Sequence, residues 1–244
     1  MKVISIFSFT GIALGVAILI IVMSVMNGFR AELINKIVGF NAHITVKSYK
    51  NPINENKINK KNLELISKNI FFSNSGEAII LKNNTSKGIV LRGYETDNFS
   101  SLEIVNNDKF KGNKNQLNKN FISIGNELSF SLNLKIGDEL TLMSPSGVQT
   151  IIGSMPKQKT FLVTSIYNSG LAEFDNNIAL INLSTLEEFF DYDSKERNLE
   201  IYLKNPKKIE QQKFIVQEIF DEEFVFSWAD MNSSLFSALK VERN

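Results

Sequence analysis

An uncharged apolar run near the amino terminus sets the first limit on the fold. Val3 to Met26 are 24 consecutive residues without a charge, and as a helix they would extend about 36 Å at roughly 1.5 Å per residue. The hydrocarbon core of a bilayer is about 30 Å thick. A cleaved secretory signal is the alternative, but its apolar segment is only about 7–15 residues long. The sequence therefore predicts a retained transmembrane helix over residues 1–28.

A helical periodicity of apolar residues continues beyond this run. Apolar residues recur at helical spacing from Phe29 to Val38 with charges on the other side, which predicts an amphipathic stalk over residues 29–40. The alternating AHITV of residues 42–46 predicts the first strand of a soluble domain. Short strand and helix patterns then alternate to residue 228, which predicts an α+β domain over 41–228. Residues 229–244 predict a second amphipathic helix.

Composition and motifs exclude several classes of function. The chain has 244 residues and a formal net charge of +1, so it has no large positive charge that would attract nucleic acid. It has no cysteine and one histidine, which excludes disulfides, thiolate metal sites and cysteine nucleophiles. We expect His43 to have a structural hydrogen-bonding role, and the acidic residues 221–223 to form a solvated turn. No catalytic residue and no metal ligand is predicted.

Two further patterns bear on local structure and on energy supply. The stretch STLEE predicts a helix with Ser184 as its N-cap and Glu187 completing a capping box. The sequence lacks the G-x-x-x-x-G-K-[ST] motif of P-loop nucleotide binding. We therefore expect no cofactor in this chain.

Four stretches, in order, carry a family resemblance. The segment of residues 11–46 resembles the first transmembrane helix, stalk and first strand of the LolC/LolE (LolF-like) family, the membrane subunits of lipoprotein-releasing ABC transporters. Its most specific part is SVMNGF, residues 24–29. The other three stretches are VLRGYE (90–95), ISIGNELSFSLNLKIGDELTLMSPSG (122–147) and WADMNSSLFSALKVERN (228–244). The resemblance thus covers essentially the whole chain.

The resemblance implies a MacB-like periplasmic domain of two parts, similar to those of MacB efflux subunits and the cell-division protein FtsX. A Porter-like βαβ subdomain would occupy about 41–100 and 186–228, and an inserted Sabre-like subdomain about 101–185. The domain would lie between the first and second of four membrane helices. On this basis we expect the chain to be a fragment truncated at both ends, with 229–244 leading into the second membrane helix.

The insertion at residues 143–161 is the first candidate site. Apolar residues on a protruding loop often mark a contact surface, and the resemblance implies a hook that receives the periplasmic carrier LolA. The residues predicted for this carrier-binding hook are Ile151, Ile152, Met155, Pro156 and Lys157. The alternative is a long hairpin loop that packs on its own domain.

The second candidate site is the joint of span and stalk. The resemblance implies that lipoprotein acyl chains lie against this part of the helix, and Val22, Met26, Phe29 and Leu33 are the candidates for acyl contact. A helix–helix or core role for each of them remains open.

The partners that the resemblance implies are a LolD-like ATPase subunit that binds ATP and Mg, a second LolC/LolE-type subunit, LolA and lipoprotein substrates. The location implied is the bacterial inner membrane, with the main domain in the periplasm. Two alternatives remain: MacB- or FtsX-like coupling to another envelope partner, and a single-span anchored binding module that needs no ATPase.

Overall fold

The structure is a computed structural model that describes residues 2–48, 51–82, 85–150 and 153–233. The α-helices, in chain order, are α1 (Lys2–Phe40), α2 (Glu55–Ile58), α3 (Lys61–Ile66), α4 (Thr96–Phe99), α5 (Asn126–Ser131), α6 (Ala172–Asn177), α7 (Leu183–Phe190), α8 (Ile209–Ile219) and α9 (Trp228–Met231). The strands are β1 (Ile44–Lys47), β2 (Ser67–Lys82), β3 (Thr85–Tyr94), β4 (Lys111–Gly112), β5 (Phe121–Gly125), β6 (Glu139–Thr150), β7 (Gly153–Tyr167), β8 (Ile178–Asn182), β9 (Asn198–Leu203) and β10 (Phe224–Ser227).

Helix α1 is uninterrupted across the predicted boundary of span and stalk. Its 39 residues correspond to about 58 Å at 1.5 Å per residue. Within the described part of the chain it is the one helix long and apolar enough to cross a membrane, and none of its apolar 18-residue window is buried by protein. Only the last turns contact the domain, where Ile37 and Phe40 are buried.

The chain passes from α1 into β1 through three buried residues, Asn41 to His43. Strand β1 lies between β9 and β10 and pairs antiparallel with both. The sheet continues from β9 into the first half of β2. Apolar residues of α1, β1, β9 and α8 form one core on this part of the sheet, including Ile37, Ile44 and Val216.

The second half of the sheet closes into a ring. The order β2–β3–β8–β5–β7 returns to β2 through β6, which pairs with both β7 and β2. The interior of the ring holds a second core that includes Ile80, Leu91 and Phe161, and α7 closes it with Phe189 and Phe190. A third core lies between the ring and the end of α1 and includes Phe40, Tyr94 and Tyr167.

At two positions in the stretches that carry the resemblance, the structure shows why the residue is glycine. A Cβ on Gly125 would stand 2.1 Å from the backbone oxygen of Asp175, so α6 packs directly on the end of β5. Gly137 has a φ of +97°, in the region that favours glycine. It opens the turn into β6, and the carboxylate of Asp138 accepts from the Lys135 amide there.

The α+β class with an amino-terminal apolar helix is confirmed. Strand β2 pairs with β9 along its first half and with β3 and β6 along its second half, and the predicted subdomain boundaries stay a prediction. The prediction of Ser184 as an N-cap is wrong, because the N-cap is Asn182, two residues earlier, and α7 begins at Leu183. Of the predicted helix 229–244, residues 234–244 lie outside the described residues.

Candidate functional site

The insertion predicted as a hook is a two-stranded β-ribbon. Strand β6 pairs with β2 only from Thr141 to Met143, and beyond that point its pairing is with β7. The ribbon register joins Gly147 to Pro156 and Val148 to Met155. Ile151 and Ile152 of the predicted hook lie outside the described residues.

Two adjacent apolar residues of the ribbon are accessible to solvent. Met155 is 58% exposed, and Pro156 is also exposed. Neither residue belongs to a core cluster among the described residues. Met155 and Pro156, two of the three described residues of the predicted hook, are therefore both exposed to solvent.

Lys157 has a different setting from the other described hook residues. Its Nζ pairs with the carboxylate of Asp191 and donates to the backbone oxygen of Glu188 at 3.2 Å. Lys159 adds a longer ion pair to the Glu188 side chain, at 3.8 Å. Both partners belong to the end of α7, so these lysines fasten the base of the ribbon to the domain. Exposed ion pairs of this kind contribute about 0–1 kcal/mol each.

The four candidates for acyl contact occupy one face of α1. Their spacing of four, three and four residues keeps them within a narrow sector of a helix with 3.6 residues per turn. Val22, Met26 and Phe29 are 52%, 42% and 57% exposed, and Leu33 is half-buried. Phe40 lies 18 residues after Val22, about five turns of helix. The candidate face therefore continues into the face that the domain covers.

The end of α1 is held by an aromatic and cationic cluster. The ring of Phe40 stacks on Phe174 with centroids 4.7 Å apart and contacts Tyr167 at 5.8 Å. The guanidinium of Arg92, on β3, lies 5.0 Å from the centre of the Phe40 ring. Arg92 also donates from Nη2 to Oδ1 of Asn41 at 2.8 Å.

A partly buried carboxylate completes this cluster. Glu200, on β9, accepts from the hydroxyls of Ser73, Tyr94 and Tyr202 at 2.7, 3.1 and 2.9 Å. Burial, and then the charge of Glu200, raise the pKa of both tyrosines, so they remain donors at physiological pH. The charge of Glu200 also attracts Arg92. The partly buried guanidinium thus has an anion in its own cluster.

His43 has the structural role that the sequence predicted. Its Nδ1 accepts from the Leu203 amide at 2.7 Å, and its backbone oxygen accepts from the Trp228 amide at 3.0 Å. Burial, and to a smaller extent the charge of Lys68, lower the pKa of His43 to about 4. Because a protonated Nδ1 could not accept from Leu203, the neutral ring is the form that fits.

Sequence reasoning missed the cluster around Arg92. The residue stands in one of the resemblance stretches, but no role was assigned to it. One available signal was a single charge inside the apolar strand IVLRGY, because charges on a buried strand need a partner. The partners themselves come from β9 and from the end of α1, and their convergence depends on the fold. No group of three or more possible metal-ligating side chains occurs among the described residues.

The fold and these two sites define an α+β domain that is carried on a long apolar helix and displays Met155 and Pro156 on an exposed β-ribbon. A family profile described as MacB-like periplasmic core domain matches residues 5–219. The chain belongs to this family.

Curated relatives give a finer comparison. The chain is 28% identical over 253 residues to the lipoprotein-releasing system transmembrane protein LolC of Buchnera aphidicola subsp. Schizaphis graminum, covering 99% of this chain and 60% of that protein. It is 25% identical over 252 residues to LolC of Neisseria meningitidis serogroup B, covering 100% and 60%. The resemblance to LolC/LolE proteins is confirmed, and the chain spans about 60% of the length of these relatives.

A solved structure is also similar to this chain. The periplasmic region of MacB from Actinobacillus actinomycetemcomitans matches 81% of this chain and 94% of its own, with 9% sequence identity and a TM-score of 0.45.

Proposed function

We propose that this chain is part of a membrane subunit of an ABC transporter that releases lipoproteins from the inner membrane to a LolA-like periplasmic carrier. The observation that carries the proposal is the match to LolC proteins over nearly the whole chain, including the helix and the domain together. The domain would face the periplasm. A LolD-like subunit would bind ATP and Mg, and a second LolC/LolE-type subunit would complete the membrane part.

Energetics explain why such a chain would need both an ATPase and a carrier. Each methylene group withdrawn from an apolar environment costs about 0.8 kcal/mol, so withdrawing several acyl chains into water is strongly unfavourable. In the proposed function, the exposed face of Val22, Met26 and Phe29 contacts acyl chains beside α1. Met155 and Pro156, on the exposed ribbon, contact the carrier that receives them.

The test is reconstitution of the full-length protein with its ATPase in proteoliposomes that contain a labelled lipoprotein. We expect the lipoprotein to appear in solution only when ATP and the carrier are both present. Vesicles with an ATPase variant unable to hydrolyse ATP are the control. Release without ATP, or no release in the complete system, would contradict the proposal.

The matching profile is described as MacB-like, and this favours a second candidate, MacB- or FtsX-like coupling to another envelope partner. The same preparation separates the candidates. ATPase activity that responds to a different envelope protein, and not to lipoprotein and carrier, would support coupling to that protein. Failure of any ATPase to copurify with the full-length protein would favour a single-span anchored binding module.

A further inference from the structure

The last turns of α1 pack on two cores of the domain, one that includes Ile37 and one that includes Phe40. Ile37 and Phe40, on the face of the acyl-contact candidates, are buried. Other faces of the stalk line two cavities. One has a volume of about 710 Å³ and borders Ile34 and Val38, and the other, of about 270 Å³, borders Glu32 and Lys36. Ile34 and Val38 are only partly buried against their core, so the packing around the stalk is incomplete, and its orientation also depends on the contacts of its last turn.

Arg92 makes two of those contacts at once. Its planar guanidinium lies against the Phe40 ring and donates to the Asn41 side chain. Asn41 is also bonded to the helix, because its backbone nitrogen and its side-chain Nδ2 both donate to the backbone oxygen of Ile37, at 3.0 and 3.3 Å. A lysine could supply the charge, but it lacks the plane that stacks on an aromatic ring while donating sideways.

The sheet holds Arg92 in a fixed position. Strand β3 is an inner strand, paired antiparallel with β2 and parallel with β8, and Arg92 lies opposite Ser75 and Leu180. The Glu200 carboxylate, itself fixed by three hydroxyl donors, attracts the guanidinium from β9. Arg92 thus connects the rigid centre of the sheet to a specific face of α1.

We propose that Arg92 is a positioning residue that sets the rotation of α1 relative to the periplasmic sheet. Phe40 lies about five helical turns from Val22 and on the same face. Fixing Phe40 therefore fixes the direction in which Val22, Met26 and Phe29 face. The use of this coupling in lipoprotein release rests on the proposed function, whereas the structural coupling does not.

The experiment measures the distance between two spin labels on the full chain in lipid nanodiscs. The chain has no cysteine, so labels can be attached to Ala31→Cys on the stalk and Gln211→Cys on α8, both at exposed positions. The parent should give one narrow distance distribution. Arg92→Met should lose that single distance and give a broad distribution.

Arg197→Met is the matched control, because Arg197 makes a two-bond ion pair with Glu187, at 2.6 and 2.8 Å, away from α1. It should lower the melting temperature and leave the distance narrow. If Arg92→Met does not fold, Arg92→Lys is measured in its place, and it too should broaden the distribution. A narrow parent-like distribution in the Arg92 variant, or equal broadening in Arg197→Met, would overturn the proposal.

The same Arg92 variant in the reconstituted full-length transporter separates this inference from the proposed function. Broad distances together with lost ATP-dependent release support both. Broad distances in a system whose parent releases no lipoprotein would leave the positioning role standing and reject the proposed function. Broad distances with unchanged release would show that transport does not use this coupling.

Discussion

Replacing Met155 by alanine and Pro156 by glycine in the full chain tests whether the β-ribbon receives the carrier. Both residues are exposed and outside the core clusters, so the substitutions should leave the fold intact. If the ribbon is the docking site, the variant should bind the carrier about 10- to 100-fold more weakly.

The magnitude follows from the exposed surface of Met155 and the stiffness of proline. Burying a whole methionine side chain contributes about 1.5–3 kcal/mol. Since 58% of Met155 is exposed, burying that exposed part against the carrier would contribute about 0.9–1.7 kcal/mol to the free energy of binding. Loss of the proline constraint adds about 0.4–1 kcal/mol of ordering cost. Together these give roughly 1.3–2.7 kcal/mol, where every 1.4 kcal/mol is a tenfold change in affinity.

The assay is titration calorimetry of the cognate carrier into the chain in nanodiscs, with a thermal melt of each variant. Phe130→Ala is the matched control, because Phe130 is an apolar side chain 85% exposed elsewhere on the domain. It should change neither carrier affinity nor melting temperature. Parent-like binding by the Met155 and Pro156 variant would refute the docking role. So would weaker binding that merely accompanies unfolding.

Three further predictions concern the helix and the domain. A chain expressed with a carboxyl-terminal tag should retain α1, and intact mass spectrometry checks this. Release of a soluble product that lacks about the first two dozen residues would contradict membrane retention. A fragment of residues 41–228 should unfold cooperatively, and one beginning at residue 34 should be more stable by about 3–5 kcal/mol because it keeps buried Phe40; an undispersed amide spectrum for both would contradict independent folding. For His43, the folded pKa of about 4 lies below the ordinary 6.5. The contribution of the neutral ring to the free energy of unfolding is therefore complete above pH 6.5 and is lost as pH falls towards 4. That difference corresponds to about 3 kcal/mol, and denaturant unfolding of His43→Gln should lack this part of the pH dependence.

Local patterns predicted the elements whose structure depends on local sequence. An uncharged run of 24 residues favours a helix in any apolar environment, and α1 forms there. Among the alternating strand and helix patterns, the apolar stretches IALINL and LEIYLK predict strands, and they form β8 and β9. The N-cap of α7 was misplaced because Asn182 and Ser184 both have capping side chains, and only the helix start decides between them.

Features that depend on distant pairing could not be predicted in the same way. Closure of the ring rests on a short pairing of β2 with β6, from Ile79 to Leu81, and no local pattern specifies it. The hook was predicted as a protruding loop with apolar residues, yet the pairing of β6 with β7 extends to Thr150 and Gly153. A two-stranded ribbon tolerates a proline because one edge of each strand needs no hydrogen-bond partner.

The short joint between α1 and β1 explains why the Arg92 cluster lies where it does. Three buried residues separate the helix from the strand, and the backbone of His43 bonds to Ile201 on β9 and to Trp228 at the start of α9. The joint therefore has no flexible linker in which a movement of α1 could be lost. Backbone continuity transmits displacement along the helix axis, but torsion about that axis also requires a side-chain contact away from the axis. Phe40, held between Arg92 and Phe174, supplies that contact.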